Sequence, residues 1–280
     1  MNLVEQQRKS CPAPLGDIEP HANLLVVPGS DQLLYKLVTI ENLLRSISGE
    51  YLYFNRVDSY SDFPGADHND GKQPPADRQI NKDIKFEKAQ HFSAADYYDQ
   101  CRARTYACCF GLENTDYLWS NYANDSVRGK ACIVFNFEKL RARLNQNLSS
   151  EHVKLNFNGI DCRQIFSLNY GVVEYVDWDR HQLNTEVLPN PIMYTYLKGM
   201  SFKDENELRI SLSAPGLCSF ELGDGRMLEF PSGLSMHFDF RAALCDGTIQ
   251  EILFAQDSDL VYLREELLNS RIVLKPDSDL

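Results

Sequence analysis

The sequence predicts an α+β protein with a mixed or antiparallel sheet core flanked by helices, on three observations. Apolar runs of strand length recur, as in Thr105 to Phe110 and Ala131 to Asn136. Helix-period segments lie among them, as in Ile40 to Ile47. Neither a repeat, nor a low-complexity stretch, nor a linker divides the chain, so residues 23–280 read as one domain behind a polar tail over 1–22.

Taken in order, Asn23 to Pro28 begins the ordered part, and Gly29-Ser-Asp31 is a turn. Leu33 to Val38 reads as a strand, Ile40 to Ile47 as an amphipathic helix and Tyr51 to Phe54 as a second strand. Glycines, prolines and aspartates then make 58–80 a long polar loop, and long loops inside compact domains often carry function. Phe86 to Ala103 is expected to be helical, with Ser93 and Asp96 spaced as a capping pair. Thr105 to Phe110 is a buried strand. Thr115 to Ala123 is a short helix that places Trp119 and Tyr122 on one face. Ala131 to Asn136 is a strand and Glu138 to Asn145 a charged helix. Tyr170 to Val176 reads as a strand, Pro191 to Lys198 as a helix and Glu207 to Leu212 as an alternating strand. Glu221 to Arg226 is glycine-rich, and a hairpin turn explains it better than a phosphate cradle. Short strands follow near Arg226 to Phe230 and Met236 to Phe240. Glu251 to Phe254, Leu260 to Leu268 and Arg271 to Leu274 close the chain as strand, helix and strand.

The 280 residues are 43% hydrophobic and 24% charged, which excludes disordered and coiled-coil classes. A net charge of −12 opposes bulk nucleic-acid binding. Eight cysteines stand at irregular spacing inside apolar strings such as Tyr106-Ala-Cys-Cys-Phe110, which reads as buried thiols rather than a disulfide or zinc framework. The chain opens without an apolar leader and has no span of membrane length, so a cytoplasmic protein without membrane partners is expected.

Two concentrations of charge stand out. Asp58, Asp62, Asp67, His68 and Asp70 offer hard donors to a divalent ion, but aspartates and glycines are also ordinary turn chemistry and His68 has no second histidine at ligand spacing. No metal is expected there. Glu205-Asn-Glu207-Leu-Arg209 is the densest charged string beside an apolar strand. Alternation places Glu205, Glu207 and Arg209 on one face, either as a solvated strand edge or as a carboxylate site oriented by arginine. Such a carboxylate would stabilise a cationic transition state. Trp119 and Tyr122 read either as core or as the walls of a pocket that stacks a flat heterocycle.

The strings Tyr51-Leu-Tyr-Phe54, Leu118-Trp-Ser-Asn-Tyr-Ala123, Val173-Glu-Tyr175 and Lys198 through Arg209 resemble a bacterial domain-of-unknown-function family, number 2971, over about Leu33 to Leu274. A tryptophan is expected where Phe202 stands, which implies altered packing. That family is met near mobile elements and phage-defence genes, so the resemblance implies a defence or toxin-like effector with a macromolecular target or a neighbouring defence-system partner. In addition, Leu34-Tyr-Lys-Leu-Val-Thr-Ile-Glu-Asn-Leu43 is similar to the opening strand and helix of ADP-ribosyltransferases, with Lys36 in place of their histidine. This second resemblance implies an ADP-ribosyltransferase-like fold and NAD as substrate. Lys36 and Tyr35 would bind it, Tyr122 with Trp119 would stack on nicotinamide, and Glu207 would stabilise the oxocarbenium ion with Glu205 and Arg209 as orienting groups. Lysine can pair with a diphosphate but cannot accept a hydrogen bond. A metal-dependent nuclease using the acidic loop and a non-catalytic ligand- or partner-sensing domain stand as alternatives.

Overall fold

The computed structural model describes residues 25–62, 65–86, 89–149, 155–161, 166–182, 192, 194–214 and 219–269. Within them the strands are β1 Leu33–Thr39, β2 Tyr51–Arg56, β3 Lys85–Phe86, β4 Ala89–Ser93, β5 Thr105–Gly111, β6 Lys130–Asn136, β7 Leu155–Phe157 and β8 Ile160–Asp161. They continue with β9 Ser167–Val172, β10 Glu174–Val176, β11 Leu197–Gly199, β12 Glu207–Ser213, β13 Phe220–Glu221, β14 Met227–Leu228, β15 Gly233–His237 and β16 Ile249–Phe254. Ten of these strands form one antiparallel sheet, and helices flank it. The expected α+β architecture holds.

The sheet is organised around β5. All of one edge pairs with β12, from Thr105 opposite Ser213 to Gly111 opposite Glu207. The other edge is shared: Gly111 pairs with Tyr35 of β1, while Ala107 and Tyr106 pair with Asn55 and Arg56 of β2. The sheet therefore forks, one arm running through β1 to β6 and β16, the other through β2 to β15, β7 and β8. At the tip of the fork Tyr35, Gly111 and Glu207 lie side by side on three strands. Gly111 lets Leu118 pack close at this junction: a Cβ there would meet Leu118 Cδ1 at 2.4 Å and force the leucine to shift.

The helix Ile40–Ser48 follows from local chemistry. Thr39 caps it by accepting from Asn42 N–H at 3.1 Å, and Ile40, Leu43 and Ile47 form its buried stripe. These join Leu34, Phe110, Phe135 and Phe238 in the main core, where Phe135 packs edge-on to Phe110 and Phe238. The helix Asp116–Asn121, capped by Thr115, is shorter than expected and leaves Tyr122 just beyond its end. β13 and β14 close the expected hairpin around 221–226.

Three expectations need correction. Helix over Phe86 to Ala103 begins only at Ala94, because a capping box at Ser93 starts it there: Asp96 N–H donates to Ser93 Oγ at 3.2 Å and Ser93 N–H donates to Asp96 Oδ2 at 2.8 Å. The residues before it form β4 against β3. Ser93→Ala should lower stability by about 1 kcal/mol, read as a lower thermal midpoint. The second concerns 58–80, which is not all loop. It opens with a 3-10 helix, Val57–Asp62, and ends inside the helix Pro75–Asp83, whose first position Pro75 suits. Finally, Pro191 to Lys198 is not helical where described: 194–196 turn, and Leu197–Gly199 is a strand parallel to β10, with Tyr196 O accepting from Glu174 N–H at 2.8 Å. The expected tail over 1–22 and strand Arg271 to Leu274 lie outside the described residues.

Candidate functional site

β12 is interior rather than an edge: β5 and β9 flank it and all seven of its residues are buried. Glu207 and Arg209 project together from its start. Glu205 does not continue their strand. It ends the 3-10 helix Met200–Glu205, and Asn206 turns the chain through a left-handed conformation at φ 41° before β12 begins. The two glutamates nevertheless meet at one cation, because Lys198 Nζ of β11 donates to Glu205 Oε2 and, at 3.2 Å, to Glu207 Oε2.

Arg209, 1% exposed, is the centre of the cluster. Its Nε donates to Glu207 Oε1 at 2.7 Å and Nη2 to Glu207 Oε2 at 3.1 Å. On its other edge Nη1 and Nη2 donate to the two carboxylate oxygens of Asp70, and Nη1 also to Thr195 O at 2.7 Å. All five guanidinium hydrogens are thus placed, in two bidentate forks. Asp70 comes from the aspartate-rich segment, 139 residues away in sequence. Three buried carboxylates, Asp70, Glu205 and Glu207, face two buried cations, Lys198 and Arg209, leaving one formal negative charge.

This environment separates the glutamates. Burial alone would push the Glu207 carboxyl up, but the Arg209 guanidinium and the Lys198 ammonium hold it well below the ordinary carboxylate range. Cys109 adds a thiol hydrogen bond to it. Glu205 moves the opposite way, raised first by burial and then by the Glu207 charge. Lys198 is raised despite burial, chiefly by Glu207. The Glu207 amide donates to Tyr175 Oη at 2.9 Å, and the Tyr60 ring lies 5.8 Å from the Arg209 guanidinium carbon. Phe202 packs its ring against the Lys198 ammonium, 5.2 Å from the centroid, which gives the residue at that departure a place in the site.

The other residues singled out in sequence divide. Tyr122 lies beside Glu205, where its hydroxyl works to lower the carboxyl against the rise from burial, and its 37% exposure puts it on the solvent side of the carboxylates. Lys36 belongs to the same neighbourhood. Its ammonium donates to Cys109 O at 3.3 Å, lies 5.2 Å from the Phe110 centroid and feels the Glu207 charge. It therefore sits where β1 meets β5. Trp119 turns away from Tyr122 and donates Nε1–H to Asn114 Oδ1 at 2.7 Å. The Tyr35 hydroxyl is raised by burial and by Cys132 and Glu251 on the β6 and β16 side, away from the glutamates. Asp58 pairs with Arg56 at 2.5 Å, and Asp67 accepts from Asn69 N–H and Gly199 N–H at 2.8 and 3.0 Å. Among the described residues no group of three or more His, Cys, Asp or Glu side chains is arranged to hold a metal ion, and none of the helices is long and apolar enough to cross a membrane.

Sequence reasoning missed Lys198, whose segment read as helix, and the use of Asp70 as an arginine partner. Local spacing carries no signal for either.

The site lies in the part of the chain that matches a known family. Residues 118–210 are similar to a family described only as a protein of unknown function (DUF2971), a stretch that includes Tyr122, Lys198, Glu205, Glu207 and Arg209 but neither Lys36 nor Asp70. No curated protein and no solved structure matches the chain.

Proposed function

We propose that this chain is a bacterial effector that cleaves NAD in the manner of ADP-ribosyltransferases, with the Glu205/Glu207 pair as its centre. The observation that carries the reading is the gathering of Lys36, Tyr122, Glu205 and Glu207 where β1, β5 and β12 meet. In the reaction the C1′–N bond breaks, its electron pair leaves with neutral nicotinamide, and the ribose oxocarbenium ion is taken by a nucleophile of a macromolecule or by water, which loses its proton to solvent. Glu207, held ionised by Arg209 and Lys198, is the fixed negative charge that opposes the developing cation. Glu205, raised and reached by Tyr122, is the carboxyl nearer solvent. Lys36 supplies positive charge for the diphosphate, and Tyr122 a ring for nicotinamide.

The test is label transfer or nicotinamide release from labelled NAD, offered with candidate targets. Removing one preorganised charge should slow the reaction about 10²- to 10³-fold in Glu207→Gln. Equal turnover by wild type and variant rules out the assignment.

One observation favours a non-catalytic, partner- or ligand-sensing domain as the second reading: Glu205 and Glu207 are 6% and 5% exposed, and the oxygens of Glu207 are already engaged. On that reading NAD is untouched by wild type. Of the donors a nuclease site would use, Asp70 has both oxygens committed to Arg209.

A further inference from the structure

The burial of the two glutamates under the half-open Tyr122 makes the neighbouring segment decisive. From Tyr122 to Arg128 the chain crosses the surface with little apolar anchorage, and Val127 is 91% exposed. Ala123 occupies the left-handed region at φ 54°, a strained conformation for alanine. What holds the segment is polar. The Glu41 carboxylate, from the first turn of the helix Ile40–Ser48, accepts from Ser126 Oγ at 2.8 Å, Val127 N–H at 3.2 Å and Arg128 N–H at 3.1 Å. Arg128 pairs with Asp259 at 2.7 Å and stacks 4.4 Å over Tyr262. At the near end Lys130 Nζ donates to Trp119 O at 2.6 Å and to Asn124 Oδ1. A single carboxylate thus fastens three donors in the middle of a stretch whose other anchors lie at its two ends.

We propose that Tyr122–Arg128 is a strap over the Glu205/Glu207 site, latched by Glu41, and that release of the latch lifts Tyr122 and admits ligand to Glu205. The inference rests on the reading of that site as the one that meets NAD, and supplies its regulation: with the latch closed, the Tyr122 ring beside Glu205 slows entry of the substrate, so wild type turns over slowly and the unlatched chain faster. A ligand or partner that competes for the Glu41 carboxylate, or for the backbone donors it holds, would open the site from outside.

Two measurements on the full chain test it without needing turnover. Hydrogen exchange should quicken about tenfold at the Val127 amide in Glu41→Ala, which loses its charge-assisted bond, and less at the Arg128 amide, which keeps Ser126 Oγ as an acceptor at 3.2 Å. Carbodiimide labelling of Glu205, read by mass spectrometry, should rise in the same variant. Ser126→Ala, which removes one of the three bonds to Glu41 and the second acceptor of Arg128 N–H, should give a smaller change at Val127 and in labelling. Tyr122→Phe should raise Glu205 labelling while leaving the Val127 and Arg128 amides unchanged. Faster exchange without Glu205 labelling, or no change in either, overturns the strap. If both rise as expected and no variant releases nicotinamide, the strap stands and the NAD reading falls.

Discussion

Arg209→Met is expected to destabilise the fold by about 3–5 kcal/mol, read as a lower urea midpoint with unchanged slope. Methionine keeps much of the length and all of the apolar stem, so the loss isolates the charge. Without the guanidinium, Asp70 loses both its bonds to Arg209 and Glu207 keeps Lys198 as its one hydrogen-bonded cation, and both carboxylates stay 2–5% exposed. The penalty is that of leaving buried anions uncompensated rather than the worth of a salt bridge. The triple variant Asp70→Asn, Arg209→Met, Glu207→Gln should therefore recover most of the loss, because the amides need no counter-ion. A loss below about 1 kcal/mol in Arg209→Met would show the cluster to be hydrated and screened, as surface pairs are. It would then have to be an open cleft.

Such a cluster explains which parts of this molecule sequence can disclose. The opening strand, helix and strand are legible because each rests on short-range facts: a threonine cap at Thr39, apolar spacing in Ile40, Leu43 and Ile47, and alternation in Tyr51 to Phe54. The candidate glutamates are legible as residue types beside an arginine. Their geometry is not. Asn206 takes a left-handed turn that removes Glu205 from the strand, and nothing in Glu-Asn-Glu dictates that turn. Lys198 reaches the site through strand pairing of Leu197–Gly199 with Glu174–Val176, a tertiary choice that overrides the helical spacing of 191–198. Asp70 meets Arg209 across 139 residues, and its neighbourhood of glycines and aspartates suits a turn whether or not an arginine waits opposite. Even Phe202, a departure in sequence, becomes intelligible only once the Lys198 ammonium is seen against its ring.

The two glutamates should also respond oppositely to pH, and this separates their roles. Glu207 is depressed in the folded state, so its contribution is present above the unfolded value of about 4.3 and is lost as pH falls through that value toward the folded one. Wild type should lose stability in acid with a slope steeper by about 1.4 kcal/mol per pH unit for that proton. Glu207→Gln should be less stable than wild type at pH 7. The gap between the two should begin to close as pH falls below about 4.3 and close fully only at the far lower pH where folded Glu207 itself protonates and presents the same neutral shape as glutamine to Arg209 and Lys198. Glu205 is raised, so its contribution is full below about 4.3 and fades as pH climbs through the folded value. Glu205→Gln, which mimics the protonated carboxyl, should therefore match wild type in acid and equal or exceed it at neutral pH, less what Lys198 loses with one oxygen. Urea midpoints of the three proteins from pH 7 to pH 3 decide the matter. Parallel curves for wild type and Glu207→Gln would mean that Glu207 titrates as it does in the unfolded chain, and the fixed negative charge required at the centre of the site would not be there. A deficit of Glu207→Gln that narrows in acid, with Glu205→Gln level with or above wild type at neutral pH, leaves one glutamate as a permanent anion and its neighbour as the carboxyl able to carry a proton, the division of labour that a reaction through a cation beside a nucleophile requires.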